Sequence, residues 1–195
     1  MLKGRHELIQ EKTIENAVAD ILRLIGEDPL RPGLKGTPQR VAEMYRELFS
    51  GIDQDPSQEL MAGVEEGHHD LVILKDIPFY SMCEHHLLPF FGSAHIGYLP
   101  TSRVVGISKM VRALDVLAHR PQLQERLTAQ MADTMFAALE AEGVAVVLKA
   151  EHLCMSMRGV QKPGALVVTS AIRGTFRRGS LARREILAVL AGSAG

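Results

Sequence analysis

Two pairs of long β-patterned runs, parted by two consecutive helical stretches, limit the fold of this 195-residue chain more than any other feature. Leu71 to Ile77 and Phe90 to Leu99 make the first pair, and Val144 to Met157 and Ala165 to Phe176 the second. Between the pairs, Ser108 to His119 reads as a helix and Pro121 begins a longer one that runs to about Glu142. Its apolar stripe is Leu123, Leu127, Met131, Met135, Ala138 and Leu139, and Gly143 closes it. Strands segregated from helices in this way predict an α+β fold. The expected form is a largely antiparallel sheet with two helices on one face.

A helical arm precedes this block. Ile14, Ala17, Val18, Ile21, Leu22 and Ile25 recur at helical spacing, with Thr13 placed to cap the start and Gly26 to stop the helix. Pro29, Pro32, Gly33 and Gly36 mark a loop, after which Thr37 is the expected cap and Pro38 the first residue of a second helix ending at Gly51. Residues 1–51 therefore read as an N-terminal arm, 52–70 as a polar linker and 71–195 as the main domain, with a closing helix from Ser180 to Leu190. The linker segment Glu65-Glu66-Gly67-His68-His69 carries metal-type side chains without a thiolate or a periodic scaffold, and reads as a solvated loop.

Composition narrows the classes of function. A hydrophobic fraction of 46% is enough for a core, and a net charge of −1 offers no general attraction to nucleic acid or to anionic membranes. No apolar run approaches the ~20 residues of a membrane span. Met1-Leu2-Lys3-Gly4-Arg5-His6-Glu7 turns charged at once, without the core of a signal peptide. Two cysteines make no disulfide framework, so the expected compartment is the cytoplasm.

Both cysteines sit beside histidine, in Ser81-Met82-Cys83-Glu84-His85-His86 and in Glu151-His152-Leu153-Cys154. A single disulfide is one reading of the pair. Thiolate and imidazole are also the donors zinc prefers, and Cys83 and His86 at i, i+3 can reach one ion from a single turn. Period-2 alternation along the strand expected from Val144 puts His152 and Cys154 on one face. Cys83, His86 and Cys154 are the expected ligands. Three protein donors leave a position for water, as catalytic zinc sites do, and such a water has its pKa lowered toward ~7. His85 and His152 are then candidates either for proton transfer or for orienting a ligand.

Two further clusters accompany these residues. Lys109 and Arg112, at i, i+3 after Gly106-Ile107-Ser108, suit an anion, and Arg158 and Arg40 can add charge to it. The alternative is a plain solvated helix face. Gln124-Glu125 follows Pro121; the carboxylate can accept two hydrogen bonds from an amidine-like edge such as guanine's, or simply favour a helix N-terminus.

Together these motifs, with Gln122-Leu123-Gln124-Glu125-Arg126-Leu127-Thr128 and His152-Leu153-Cys154-Met155, resemble the zinc-dependent GTP cyclohydrolase I family from about Thr37 through Leu187. The resemblance implies the tunnelling fold, a toroidal decamer with active sites at subunit interfaces, and conversion of GTP and water to 7,8-dihydroneopterin triphosphate and formate, the entry to folate and pterin synthesis. It implies Cys83, His86 and Cys154 as zinc ligands and His85 and His152 as proton-transfer groups. Glu125, with Gln124 beside it, matches the guanine anchor. Ser108 matches a position near the ribose, and Lys109, Arg112, Arg158 and Arg40 match the triphosphate clamp. Gly164-Ala165-Leu166-Val167 is more apolar than the family's usual stretch, and Arg173 replaces a more usual apolar residue; both bear on subunit packing rather than chemistry. Competing readings are a nitrile reductase of deazaguanine metabolism on the same fold, and a non-catalytic, zinc-stabilised oligomer that binds nucleotide.

Overall fold

The computed structural model describes residues 13–61, 64–65, 67, 69–177 and 188. It divides the chain into two units, one up to Phe49 and one from Ser50. In the first, α1 (Ile14–Leu24) opens on Thr13, whose hydroxyl accepts the Asn16 N–H at 3.2 Å. Gly26, at φ +92°, follows its end, where a residue lacking Cβ is favoured. The second helix, α2 (Thr37–Leu48), starts one residue earlier than expected: Thr37 is already helical and Gly36 takes the capping position without a side-chain bond. Val18 and Ala42 are buried, and Arg46 meets Glu15 at 2.6 Å.

The second unit begins with α3 (Ser57–Leu60) and β1 (Val64–Glu65), followed by β2 (Val72–Cys83), β3 (Pro89–Leu99) and β4 (Arg103–Val104). Then come α4 (Ile107–Ala118), β5 (Pro121–Gln122), α5 (Gln124–Ala138), β6 (Gly143–His152), α6 (Leu153–Ser156) and β7 (Leu166–Gly174). The main sheet has the order β5-β2-β3-β6-β7, antiparallel throughout except where β5 pairs with the end of β2. Alternation along β6 sends Val144, Val146, Leu148 and Ala150 into the core that Met110, Leu114 and Leu117 of α4 share with Leu127, Met131 and Met135 of α5. Ala145 and Val147 face the other way, toward Phe176. Both helices therefore cover one face, as expected. Each fully buried Leu or Met among them contributes about 1.5–3 kcal/mol of burial free energy.

Four local expectations change. The first strand, read as Leu71 to Ile77, runs on to Cys83. A bulge between Leu74 and Ile77, with Asp76 at φ +55°, resets the alternation and hides the continuation Ile77, Phe79, Ser81. The strand read through Met157 stops at His152 instead. Its partner β3 starts at Pro89, opposite no further residue, and the chain turns into α6 with Met157 N–H bonded to Leu153 O at 3.0 Å. Cys154 thus lies on a helical turn, not on the strand face of His152. Pro121 opens the short β5, so α5 begins three residues later than read. Residues 52–70, read as a linker, hold α3 and β1, and Leu60 is fully buried in the main core. Of the closing helix only Ala188 falls among the described residues, and it is helical.

Candidate active site

The end of β2 folds back on itself and carries the first two metal-type donors. Cys83 N–H donates to Leu88 O at 2.9 Å, and Leu87, at φ +49°, donates its N–H to Cys83 O at 2.8 Å. This turn brings His86 Nδ1 to 3.7 Å from Cys83 Sγ. Residue 154 approaches from α6, its Sγ 3.9 Å from Cys83 Sγ, and the three donor atoms lie within 4.8 Å of one another. A tetrahedral ion with Zn–S bonds of ~2.3 Å and a Zn–N bond of ~2.05 Å requires S···S of ~3.8 Å and S···N of ~3.6 Å. The Cys83–His86 and Cys83–Cys154 spacings match two of those edges, the third pair lies within 4.8 Å, and both cysteines are free rather than bridged. Burial pushes the Cys154 thiol up, the neighbouring Cys83 adds to this, and Arg158 works weakly in the opposite direction. A divalent cation reverses that balance, because it binds the thiolates.

His152 stands one strand position from the metal turn. Its ring stacks on Phe90, centroids 4.6 Å apart and planes nearly parallel, because the two residues face each other across β3 and β6. Its Nε2 lies 2.8 Å from Gln124 Oε1. The orientation of that amide follows from its other end: Gln124 Nε2 donates to Leu148 O at 3.2 Å, Val167 O at 3.0 Å and Thr169 Oγ1 at 3.1 Å. Two of these are carbonyls, which only accept, so Oε1 must be the atom facing the imidazole. His152 then carries its proton on Nε2 and leaves Nδ1 as the basic nitrogen. Burial lowers its pKa, while the exposed Glu125 carboxylate beside it works the other way.

Gln124 is 1% exposed and engaged on all sides, so its side chain orients His152 and anchors α5 to the sheet. Glu125 is exposed in the first turn of the same helix. Next along, Arg126 grips both oxygens of Glu84, at 2.5 and 3.0 Å, and holds that carboxyl below its usual range. His85 is exposed, 3.9 Å from Glu84 and edge-on to His86.

Ser108, Lys109 and Arg112 are placed elsewhere. They occupy the first turns of α4, where Lys109 Nζ lies 3.0 Å and Arg112 Nη1 4.0 Å from Glu59. Glu59, Arg112, Asp115 and His119 line a cavity of about 230 Å³. Arg158 is exposed beyond α6, and Arg40 is exposed on α2 in the first unit. The second unit therefore assembles Cys83, His86, Cys154, His152, Gln124 and Glu125, with Arg158 close enough to act on the Cys154 thiol, while Lys109 and Arg112 face Glu59 at the start of α4. Phe90, Thr169, Glu84 and Arg126 were not singled out from sequence. A charged residue between two ligands was the available sign for Glu84; nothing local marked the other three.

The family profile of GTP cyclohydrolase I matches residues 14–191. GTP cyclohydrolase 1 of Dehalococcoides mccartyi is 56% identical over 185 residues, which cover 94% of this chain and 98% of that one. The protein of the same name from Halalkalibacterium halodurans is 54% identical over 193 residues, 98% of this chain and all of the relative. That of Geobacillus kaustophilus is 56% identical over 178 residues, 91% and 95%. Among solved structures, the archaeosine synthase QueF-Like in its apo form is similar at a TM-score of 0.41 and 22% identity, over 53% of this chain and 93% of that one.

Proposed function

Because the chain belongs to the GTP cyclohydrolase I family, we propose that it hydrolyses GTP at C8, releasing formate and forming 7,8-dihydroneopterin triphosphate, with zinc held by Cys83, His86 and Cys154. It is an enzyme of pterin and folate synthesis, with GTP and water as its substrates. The observation that carries the zinc reading is the spacing of Cys83 from His86 and from Cys154, 3.7 and 3.9 Å, which matches two edges of a tetrahedron around that ion. Bound there, zinc supplies Lewis acidity and lowers the pKa of a coordinated water toward ~7.

The chain's own groups account for the rest. His152, its pKa lowered by burial and its ring fixed by Phe90 and Gln124, presents Nδ1 to accept a proton and return it to a purine nitrogen. His85, exposed next to His86, is the second candidate for that exchange. Glu125, exposed one residue beyond Gln124, can accept the two N–H groups of guanine's N1 and 2-amino edge. Ser108 is assigned to the ribose side. Lys109, Arg112, Arg158 and Arg40 are assigned to the triphosphate, which orients the base without reacting; fixed geometry of this kind is worth several kcal/mol of a barrier.

The chain is further assigned to a closed homo-oligomer, a toroidal decamer in the family's manner. Support comes from open sheet edges. Among the described residues β7 pairs only with β6, while exposing Leu166 and Val168, and β2 has an outer partner only at Met82 and Cys83. No helix among the described residues is long and apolar enough to cross a membrane.

The decisive experiment incubates the purified protein with GTP and follows formate and, after oxidation, pterin fluorescence. Turnover that needs zinc and vanishes with metal content in Cys154→Ala is the expected result. Turnover persisting in a metal-depleted sample overturns the zinc assignment, and GTP binding without formate favours a non-catalytic oligomer.

A further inference from the structure

We propose that Arg126 is a positioning residue of the metal centre, acting through Glu84 to set where the Cys83–His86 turn stands relative to Glu125 and His152. The proposal rests on the reading of Cys83, His86 and Cys154 as metal ligands. Glu84 lies between two of those ligands, yet its carboxylate is outside the donor cluster. Both of its oxygens face the Arg126 guanidinium instead, at 2.5 and 3.0 Å, in the two-pronged geometry that fixes direction as well as distance.

The same turn is held a second time, because Glu84 N–H donates to Gln122 O at 3.0 Å. Two residues further on, Gln124 fastens the start of α5 to Leu148 O, Val167 O and Thr169 Oγ1 and presents its carbonyl to His152. Residues 122, 124 and 126 thus tie the ligand turn, the sheet and the imidazole to one short segment. Glu125, between two anchored neighbours, is left exposed toward solvent. The segment acts as a bracket: it fixes the span between the turn that would hold the ion and the carboxylate assigned to the base.

Ion pairs at a solvated surface contribute little to stability, and this one is no exception. Its contribution lies in geometry. Partners one layer behind metal ligands typically change metal affinity or activity by about 10- to 100-fold when removed.

The test compares zinc-loaded Arg126→Gln, Glu84→Gln and the double variant in three measurements: kcat, KM for GTP, and the rate at which a chelator strips the metal. Each single change is expected to lower kcat and speed metal release by about tenfold or more, with KM within about threefold. The double variant should resemble either single one, since each removes the same contact. A lowered melting temperature with kcat and metal release unchanged overturns the proposal, because a merely structural pair behaves that way. Effects that add in the double variant also overturn it, as does a rise in KM alone, which would mark Arg126 as a substrate contact. Cys154→Ala, run in parallel, separates the two layers of the argument. If it keeps its metal, the ligand assignment itself fails; if it loses the metal while Arg126→Gln behaves like the parent, only the bracket fails.

Discussion

His152 illustrates how much chemistry one side chain inherits from its neighbours. The carbonyls of Leu148 and Val167 fix the Gln124 amide, the amide fixes the imidazole tautomer, and Phe90 fixes the ring plane. Replacing His152 with Ala should leave zinc content close to that of the parent while kcat falls about 10²- to 10⁴-fold, the range of a lost proton-transfer group. Metal analysis beside single-turnover formate release checks this; loss of the metal would make His152 a ligand instead. Glu59 poses a different problem, since a carboxylate 3.0 Å from Lys109 opposes a cluster assigned to phosphates. Glu59→Gln should therefore lower KM for GTP by roughly two- to fivefold, the scale of a partly exposed pair. A higher KM would mean that Glu59 holds Lys109 in place rather than competing with substrate.

At the scale of elements, the legible parts of the chain were those whose signal is periodic. The stripe Leu127, Met131, Met135 made α5 readable, and the alternation Val144, Val146, Leu148 made β6 readable. The meeting of Cys83, His86 and Cys154 was readable as well, because thiolate and imidazole at i, i+3 are scarce and chemically specific. What escaped depended on contacts between distant segments. The continuation of β2 was hidden by a bulge at Asp76, and the end of β6 was set by where β3 runs out at Pro89. The bonds of the Gln124 amide to β6 and β7 were likewise hidden, because nothing local in the sequence points to Leu148, Val167 and Thr169. The bulge carries a consequence of its own. His95, 3% exposed, accepts the Asp76 N–H on Nδ1 at 3.2 Å and lies 3.4 Å from Ser93 Oγ through Nε2. Burial lowers its pKa, Lys149 and Lys75 add to this, and Asp76 works against it. The unfolded chain therefore takes up a proton near pH ~6.5 that the folded one refuses, and stability is lost as the pH falls below that value toward the folded pKa. Melting temperatures from pH 8 to 5 should drop below ~6.5, and less steeply in His95→Gln. Equal slopes would place the acid lability elsewhere.

At the largest scale, the second unit is organised by the two ends of one helix. Val105 N–H, just before α4, donates to the Tyr98 hydroxyl at 3.2 Å, and Tyr98 pairs with Val72 at the start of β2. Ala118, at the other end, accepts from Ser81 Oγ at 2.7 Å, two residues before Cys83. Lys109 precedes Ala118 by nine residues, about 13 Å along the helix axis. The metal turn and the pair Lys109 and Arg112 thus lie toward opposite ends of the same helix. Among the described residues β2 and β7 have open edges, and a second copy that added its strands there could bring the other end of a site. Cys154→Ala lacks one end and the double change Lys109→Ala with Arg112→Ala lacks the other. If each site draws its metal turn and its cations from different protomers, co-expressing the two inactive chains should restore about a quarter of the parent activity, since random assembly gives that share of sites two intact contributors. If one chain supplies both ends, every protomer in the mixture carries a defect and the activity stays at zero, so the assay on the mixed oligomer, with its subunit ratio measured, decides between a shared site and a self-contained one.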